Sequence, residues 1–420
     1  MNIKETINEF KESFIMNILI ATFWVSPHVG GVWNYMKQLK ENLELLGHNV
    51  DLFAYGKDHE FVHLINKNKR IDKKQFSNVI EQNFPTTVVD WVVHYYQKLQ
   101  FFYELGARSL IDFKDYDLIH TQDVFSTIAF NRIRSNDTAL VATLHGSVAE
   151  EIKEAHYNVK EPDKFVSWDG KTYFEQLETT AATAPELTIV ANKWLKNLLI
   201  NAYHVPPHQL QVLHYGYDIE SFLQKMLDKS NIIPPANKKI IIYTGRLVES
   251  KGVHHLINAL HQLKKIRRDW VCWIVGDGPK RNEFQNLVEK LGLQNHLIFL
   301  GKRDDIPYLL SISDLFILPT LMDNQPLSII EAQIAGKAII ASNVGGIPEM
   351  IQDRLTGLLF PPGDVESLVN HINYLFNHEN VRLHLGQRAQ KWALKHWSSQ
   401  RATQKVLNVY QTAIKKRNKS

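Results

Sequence analysis

Cysteine is nearly absent from this chain, which holds a single one, Cys272, among 420 residues. A lone thiol makes no internal disulfide, and no metal-ligand spacing surrounds it. It sits in the apolar run Val271-Cys272-Trp273-Ile274-Val275, where a thiol behaves as a small hydrophobe rather than a nucleophile. A reducing, cytoplasmic setting fits. An excess of one charge is also lacking: 48 basic residues stand against 44 acidic ones, for a net +4. So mild a balance argues against nucleic acid as a partner, although a local basic patch can still meet an anionic membrane. Long hydrophobic runs are missing too. The best stretch, from Ile18 to Trp33, is broken by Ser26, Pro27, His28 and two glycines, which does not make a membrane span. The opening segment carries Lys4, Glu5, Glu9, Lys11 and Glu12 and does not read as a signal peptide. Met16-Asn17-Ile18 echoes Met1-Asn2-Ile3, so the folded part is expected from about Met16, behind an extension of residues 1–15.

What is present is an ordinary globular composition, 44% hydrophobic and 22% charged, on a chain too long for one hydrophobic core. Two domains are expected. Short apolar runs alternate with stretches of helical period, the pattern of an α/β protein with parallel, doubly wound sheets. In the first half the strand candidates are Asn17–Phe23, Val50–Ala54, Asp117–His120, Ala139–Leu144 and Leu187–Val190. Between the first two, Tyr35, Met36, Leu39, Leu43 and Leu46 line one face of a helix that starts near Gly31 and is ended by Gly47. In the second half the candidates are Lys239–Thr244, Trp270–Val275, Leu297–Leu300, Leu315–Leu318 and Ala338–Ala341. Residues 56–115 do not alternate cleanly and read as a helical insertion. The boundaries follow: a first Rossmann-like domain over 16–215, a linker over 216–236 containing Pro234-Pro235, a second Rossmann-like domain over 237–394, and a final helical stretch, 395–420, able to pack on either.

The densest chemistry lies in the second half. Tyr243-Thr244-Gly245-Arg246 ends a strand candidate, and Glu249-Ser250-Lys251-Gly252 precedes a helix. Ligands of open α/β sheets bind outside the carboxyl ends of the strands. Arg246 and Lys251 are therefore placed at the mouth of a crevice, beside a helix N-terminus that favours anions. An arginine fork and a lysine point charge suit a diphosphate; two solvated surface cations are the plainer alternative. Downstream, Asp323-Asn324-Gln325-Pro326-Leu327 leads into a helix holding Glu331. Pro326 suits its first turn, and Glu331 lies about a turn and a half inside. A carboxylate is a natural partner for a ribose diol, while a cap at Asp323 and a solvated Glu331 are the structural alternatives.

The series from Gly245 to Gly363 resembles the donor domain of GT-B glycosyltransferases of family 4. Gly245-Arg246 with Lys251-Gly252 is similar to that family's phosphate-binding pair, and Gly276-Asp277-Gly278-Pro279 to its turn after the next strand. Asp323 and Glu331 are similar to its paired acids. Ser342-Asn343-Val344-Gly345-Gly346 and Thr356-Gly357-Leu358 complete the series. The likeness extends weakly through Gly30-Gly31 and Gly216-Tyr217-Asp218. It implies a GT-B fold with the site in an interdomain cleft, and retaining, metal-independent hexosyl transfer from a nucleotide-diphosphate sugar, as in polysaccharide biosynthesis. No cofactor beyond that co-substrate is implied. Arg246 and Lys251 would neutralise the leaving diphosphate, and Glu331 would hold the ribose. Asp323 and the backbone of Asn324, Gln325, Pro326 and Leu327 would address sugar hydroxyls or phosphate, with Gly245 and Gly276 close by. One departure is Asp323 itself, where glutamate is commoner.

In the first half, Gly30-Gly31 after the first strand is implied to close over donor phosphates; a tight turn is the alternative, and no GxGxxG dinucleotide fingerprint is present. His120 and His145 each end a strand candidate. The resemblance places both toward the cleft, His145 as a catalytic candidate and His120 as an acceptor-side residue. Gln122 stands where many relatives carry a second histidine and cannot act as an acid or base, so no general base is assigned. Asp115-Tyr116-Asp117 reads as loop carboxylates rather than a metal pair, being before a strand. The aromatic run Trp91–Tyr103, near Lys67, Lys69, Arg70, Lys73 and Lys74, fits either a buried helix beside a solvated basic loop or a peripheral membrane contact near a lipid-linked acceptor. A GT-B nucleotide-sugar epimerase and a non-catalytic sugar-nucleotide-binding subunit are the competing functions.

Overall fold

The computed structural model describes residues 15–27, 30–84, 90–157, 168–228 and 230–419, with side chains omitted for 154–157 and 168–170. Residues 1–14 of the expected extension, and His28 and Val29, lie outside these. The described chain divides into two α/β units, one of residues 1–191, 196–213 and 403–420, the other of 192–195 and 214–402.

The first unit runs β1 (Asn17–Val25), α1 (Gly31–Leu45), β2 (Asn49–Tyr55), β3 (Phe61–Leu64), β4 (Lys69–Asp72), α2 (Ser77–Asn83), α3 (Trp91–Leu110), β5 (Leu118–Thr121), α4 (Val124–Ile133), β6 (Ala139–Leu144), α5 (Val148–Tyr157), α6 (Trp168–Thr183), β7 (Leu187–Val190), α7 (Lys193–Tyr203) and β8 (Leu210–Val212). Its sheet order is β4-β3-β2-β1-β5-β6-β7-β8. All pairs are parallel except β2 with β3 and β3 with β4. Central strands such as β6 are buried throughout, as a sheet covered on both faces demands.

The second unit contains α8 (Ile219–Lys225), β9 (Lys239–Thr244), α9 (Val253–Ile266), β10 (Trp270–Val275), α10 (Arg281–Lys290), β11 (Leu297–Gly301), α11 (Ile306–Ser311), β12 (Leu315–Leu318), α12 (Leu327–Ile334), β13 (Ala338–Ser342), α13 (Ile347–Met350), β14 (Leu358–Phe360), α14 (Val365–Asn377), α15 (Glu379–His396) and the start of α16 (Ser399–Arg417). Its sheet is parallel throughout, in the order β11-β10-β9-β12-β13-β14. The order reverses between β9 and β12, where Phe316 pairs with Ile242. In such a sheet the crevice for a ligand opens at that switch point.

Two expectations need correction. Residues 56–115 are not a purely helical insertion: β3 and β4 form an antiparallel hairpin that widens the sheet, turning at Asn68 in the left-handed region (φ 50°). Four-residue strands are too short for a period-2 pattern to separate from other periods. The stretch 216–236 is not linker alone. Asp218 caps α8 by accepting from the Ser221 N–H at 3.1 Å, and Phe222 is buried in the second unit's core. The last helix, α16, begins in the second unit and ends in the first. There Val406, Leu407, Val409, Tyr410 and Ala413 join the core formed by Ile18, Ile20, Leu43 and Leu118.

Candidate active site

The loops that leave β9 and β12 are tied to each other by backbone and hydroxyl bonds. The Leu321 N–H donates to the Ser250 carbonyl at 2.7 Å, and that carbonyl also lies 2.9 Å from the buried Thr320 hydroxyl. This fastening brings Lys251 against Asp323, and the two form an ion pair that is mostly shielded from solvent. Arg246 is exposed on the same β9 loop. Its backbone is pinned: the Arg246 carbonyl accepts from the buried Tyr243 hydroxyl at 2.9 Å, and Leu247 N–H reaches the Asp277 carbonyl at 3.0 Å. Burial, and the Asp323 charge behind it, push the Tyr243 phenol well above its ordinary range.

Glycine is obligatory where these loops approach one another. A Cβ on Gly276 (φ +133°) would stand 1.9 Å from the Gly245 carbonyl oxygen, and one on Gly345 (φ +59°) 1.9 Å from that of Asp323. Both backbones therefore pass within a distance no side chain tolerates. The Gly346 N–H then donates to the Asp323 carbonyl at 3.1 Å, and Asp323 Oδ1 accepts from the Asn324 N–H at 3.2 Å.

Pro326 stands one position before α12, as its cap residue, and Leu327 opens the helix. Glu331 lies on this helix and accepts from the Tyr217 hydroxyl at 2.8 Å. Burial raises the Glu331 carboxyl to about 7, the Tyr217 donation opposing the rise. Gln325 is buried, with its amide oxygen accepting from Tyr215 N–H at 3.2 Å. Its amide nitrogen has no acceptor, and the Thr244 and Ser342 hydroxyls at the carboxyl ends of β9 and β13 are likewise buried without partners. A buried polar atom left unpaired is costly, so a ligand or water completing these three would gain by it.

In the first unit, Gly30 is extended (φ −179°), a conformation any residue adopts, and Gly31 begins α1. No unusual backbone angle is needed at either. His145 leaves β6 half-buried, its Nε2 3.0 Å from the Gln122 amide oxygen and its ring edge-on to Tyr35 of α1 at 5.3 Å. Burial keeps the imidazole neutral, well below the usual histidine range. The Gln122 amide in turn donates to the His120 carbonyl at 3.4 Å. Gln122 thus takes the proton-bearing face of Nε2, fixing the His145 tautomer.

His120 is not an acceptor-side wall residue. It is fully buried, with Nδ1 2.6 Å from the Tyr410 hydroxyl and Nε2 2.7 Å from the Thr143 hydroxyl. Burial lowers it to about 3, and both nitrogens are spent on structure, Nδ1 holding α16 to the sheet and Nε2 tying β5 to β6. Asp117 is also structural, its carboxylate accepting from Asn17 N–H at 2.8 Å. Sequence patterns do not single out Tyr217, Tyr243 or Thr320. The first lies inside the Gly216-Tyr217-Asp218 motif, whereas nothing local marks the other two. In α3, Leu99, Phe102 and Tyr103 are buried while Trp91 and Tyr95 of the first turns are exposed. Lys69, Arg70 and Lys74 are exposed as well.

Comparison with known proteins covers both units. Residues 29–221 match the family model Glycosyltransferase Family 4, and residues 225–392 match Glycosyl transferases group 1. An Escherichia coli UDP-Gal:alpha-D-GlcNAc-diphosphoundecaprenol alpha-1,3-galactosyltransferase is 29% identical over 63% of this chain and 68% of its own length. An MMP alpha-(1->4)-mannosyltransferase of Mycolicibacterium hassiacum is 24% identical over 95% of this chain and 98% of its own. Among solved structures, Anabaena HepE in complex with UDP superposes with a TM-score of 0.66 at 21% identity, covering 94% of this chain and all of that one. At that identity the likeness speaks for the fold.

Proposed function

The chain belongs to the GT-B glycosyltransferases of family 4, and on that premise we propose that it transfers a hexosyl group, with retention, from a nucleotide-diphosphate sugar. The observation that carries this reading is the Lys251–Asp323 pair, its lysine on the β9 loop that also carries Arg246, at the β9/β12 switch point. Two cations on pinned loops suit a diphosphate leaving group, whose charge grows as its bond to the sugar breaks. They supply that positive charge from the chain itself, and the proposal therefore needs no metal. When the diphosphate arrives, Lys251 is shared between it and Asp323, whose carboxylate is then available to a sugar hydroxyl.

Glu331 accepts from the ribose hydroxyls, and the N–H groups of Asn324, Gln325 and Leu327 address phosphate or sugar. In the first unit, Gly30 and Gly31 at the start of α1 leave room for a ligand's close approach, and the neutral His145 suits a sugar hydroxyl. Gln122 takes no proton, so acid–base work is not assigned to it. The acceptor belongs to the first unit. A lipid-linked glycan is in keeping with the diphosphoundecaprenol named for the Escherichia coli relative. With it goes a cytoplasmic enzyme whose exposed Trp91, Tyr95, Lys69, Arg70 and Lys74 rest on an anionic membrane. No helix among the described residues is long and apolar enough to cross one.

Calorimetric titration against ribonucleoside diphosphates and their sugar conjugates, with and without divalent cation, tests the donor site. One nucleotide is expected to bind equally in both conditions and to lose about 1.5–3 kcal/mol in Arg246→Ala or Lys251→Ala, the scale of a hydrogen bond to a charged group. Binding to none of them would sink the reading. Retention is read from the anomeric configuration of the product. For the membrane, co-sedimentation with anionic vesicles is expected to weaken as salt rises, and an absence of binding would end that part of the proposal.

A further inference from the structure

The motif Gly216-Tyr217-Asp218 lies far in sequence from Glu331, yet its middle residue, 114 positions away, touches that carboxylate. Its neighbours explain how it comes to do so. A Cβ on Gly216 would stand 2.4 Å from Ser399 Cα and 2.8 Å from Ala402 Cβ. Only glycine allows the chain to lie this close to the start of α16. Tyr217 then forms a bridge there: its N–H donates to the Trp397 carbonyl at 2.7 Å, and its carbonyl accepts from Ser399 N–H at 3.2 Å. Its ring meets Phe222 edge-on at 5.7 Å, and Phe222 is held in place by the α8 that Asp218 caps.

The clamped pair of segments reaches one helix twice. Trp397 donates its indole N–H to Gln333 at 2.7 Å, and Tyr217 donates its hydroxyl to Glu331 at 2.8 Å. Glu331 and Gln333 both belong to α12. The phenol is thus fixed through its backbone, its ring and its hydroxyl before any ligand arrives, so little rotamer freedom remains to be lost on binding.

We propose that Tyr217 is a positioning residue for the nucleotide: by donating to Glu331 Oε1 it orients the carboxylate and reserves its remaining lone pairs for the ribose hydroxyls. The inference rests on the donor reading above, and it adds specificity for a ribose over a deoxyribose. A carboxylate offers about four acceptor positions; the phenol takes one, and a diol needs two. Hydrogen bonding to the ionised form also favours that form, which matters for a carboxyl that burial pushes up to about 7. A protonated Glu331 would offer one acceptor oxygen fewer.

The test compares uridine, guanosine, adenosine and cytidine diphosphates with their 2′-deoxy counterparts, by calorimetry, on the full chain. Wild type is expected to prefer one ribonucleotide over its deoxy form, and Glu331→Gln to lose that preference. Tyr217→Phe, which removes only the hydroxyl, is expected to narrow the preference by about 3- to 10-fold, the scale of one ordinary hydrogen bond. The deoxy form should bind almost as before, and in turnover KM for the donor should rise with kcat nearly unchanged. A preference left intact, or an equal loss for both nucleotides, overturns the role of Tyr217 while leaving the donor site standing. No preference in wild type, or none lost in Glu331→Gln, overturns the ribose contact itself and this inference with it. Should Tyr217→Phe fail to fold, 3-fluorotyrosine at position 217 keeps the shape and strengthens the donor. It must hold or widen the preference, and a narrowing overturns the proposal.

Discussion

At the carboxyl edge of the second unit's sheet, Arg246, Lys251, Asp323 and Glu331 carry ionisable groups in half-buried or exposed positions. At the same edge of the first unit stand His120, Gln122, Thr143 and His145, neutral groups bonded to one another and largely shut away. Two sheets with parallel cores therefore end differently: the second unit's charges suit a diphosphate, whereas the first unit's groups are neutral and mostly spent on one another. The first unit also separates two residues of one kind. His145, just past the end of β6, is half-buried, while His120, on the more central β5, is fully buried and covered by α16 through Tyr410. A strand-end position does not make a residue part of a site; what packs over that position decides.

The largest effect expected from this contrast is on stability. His120→Ala leaves a cavity and strands the Tyr410 and Thr143 hydroxyls, and should cost about 2–4 kcal/mol of folding stability. His145→Ala should cost about 1 kcal/mol or less, the net worth of one hydrogen bond, while lowering donor turnover. Denaturant unfolding beside an activity assay checks both, and equal losses of stability would erase the distinction between the two histidines.

A smaller effect should appear in pH dependence, and it sharpens the contrast between charged and neutral edges. Glu331 is raised by burial from its ordinary 4.5 to about 7. Between those values the folded chain holds a proton that the unfolded chain has released. The stability this contributes is present at low pH and is lost as pH rises through about 7. Binding runs the other way, because the ionised carboxylate is the better ribose acceptor. The excess affinity of wild type over Glu331→Gln for a ribonucleoside diphosphate should grow as pH rises from about 6 to about 8. A difference that stays flat would place Glu331 outside the ribose contact. Using the difference also cancels the titration of the phosphates.

Much of this architecture is legible in the order of residues alone. Ala139–Leu144, Leu187–Val190, Lys239–Thr244, Trp270–Val275 and Leu315–Leu318 coincide with strands to the residue, because buried parallel strands are continuous apolar runs with polar ends. Strands β3, β4, β8 and β14 escape notice, being short and, unlike the four-residue β7 and β12, not buried throughout. The separation of Asp323 from Glu331 is legible as a motif on one helix entry. Tyr217 is not legible as a neighbour of Glu331, since 114 residues separate them.

By itself the sequence determined the alternation of strands and helices, the two Rossmann-like units and the family, because apolar period and motif spacing are local properties of the chain. Only the tertiary structure decided which marked residues meet. It joined Lys251 to Asp323 and Tyr217 to Glu331, withdrew His120 into the core and carried α16 from the second unit into the first. Each of those outcomes depends on contacts between segments far apart in the chain, and burial and hydrogen bonding are settled only once those segments have packed.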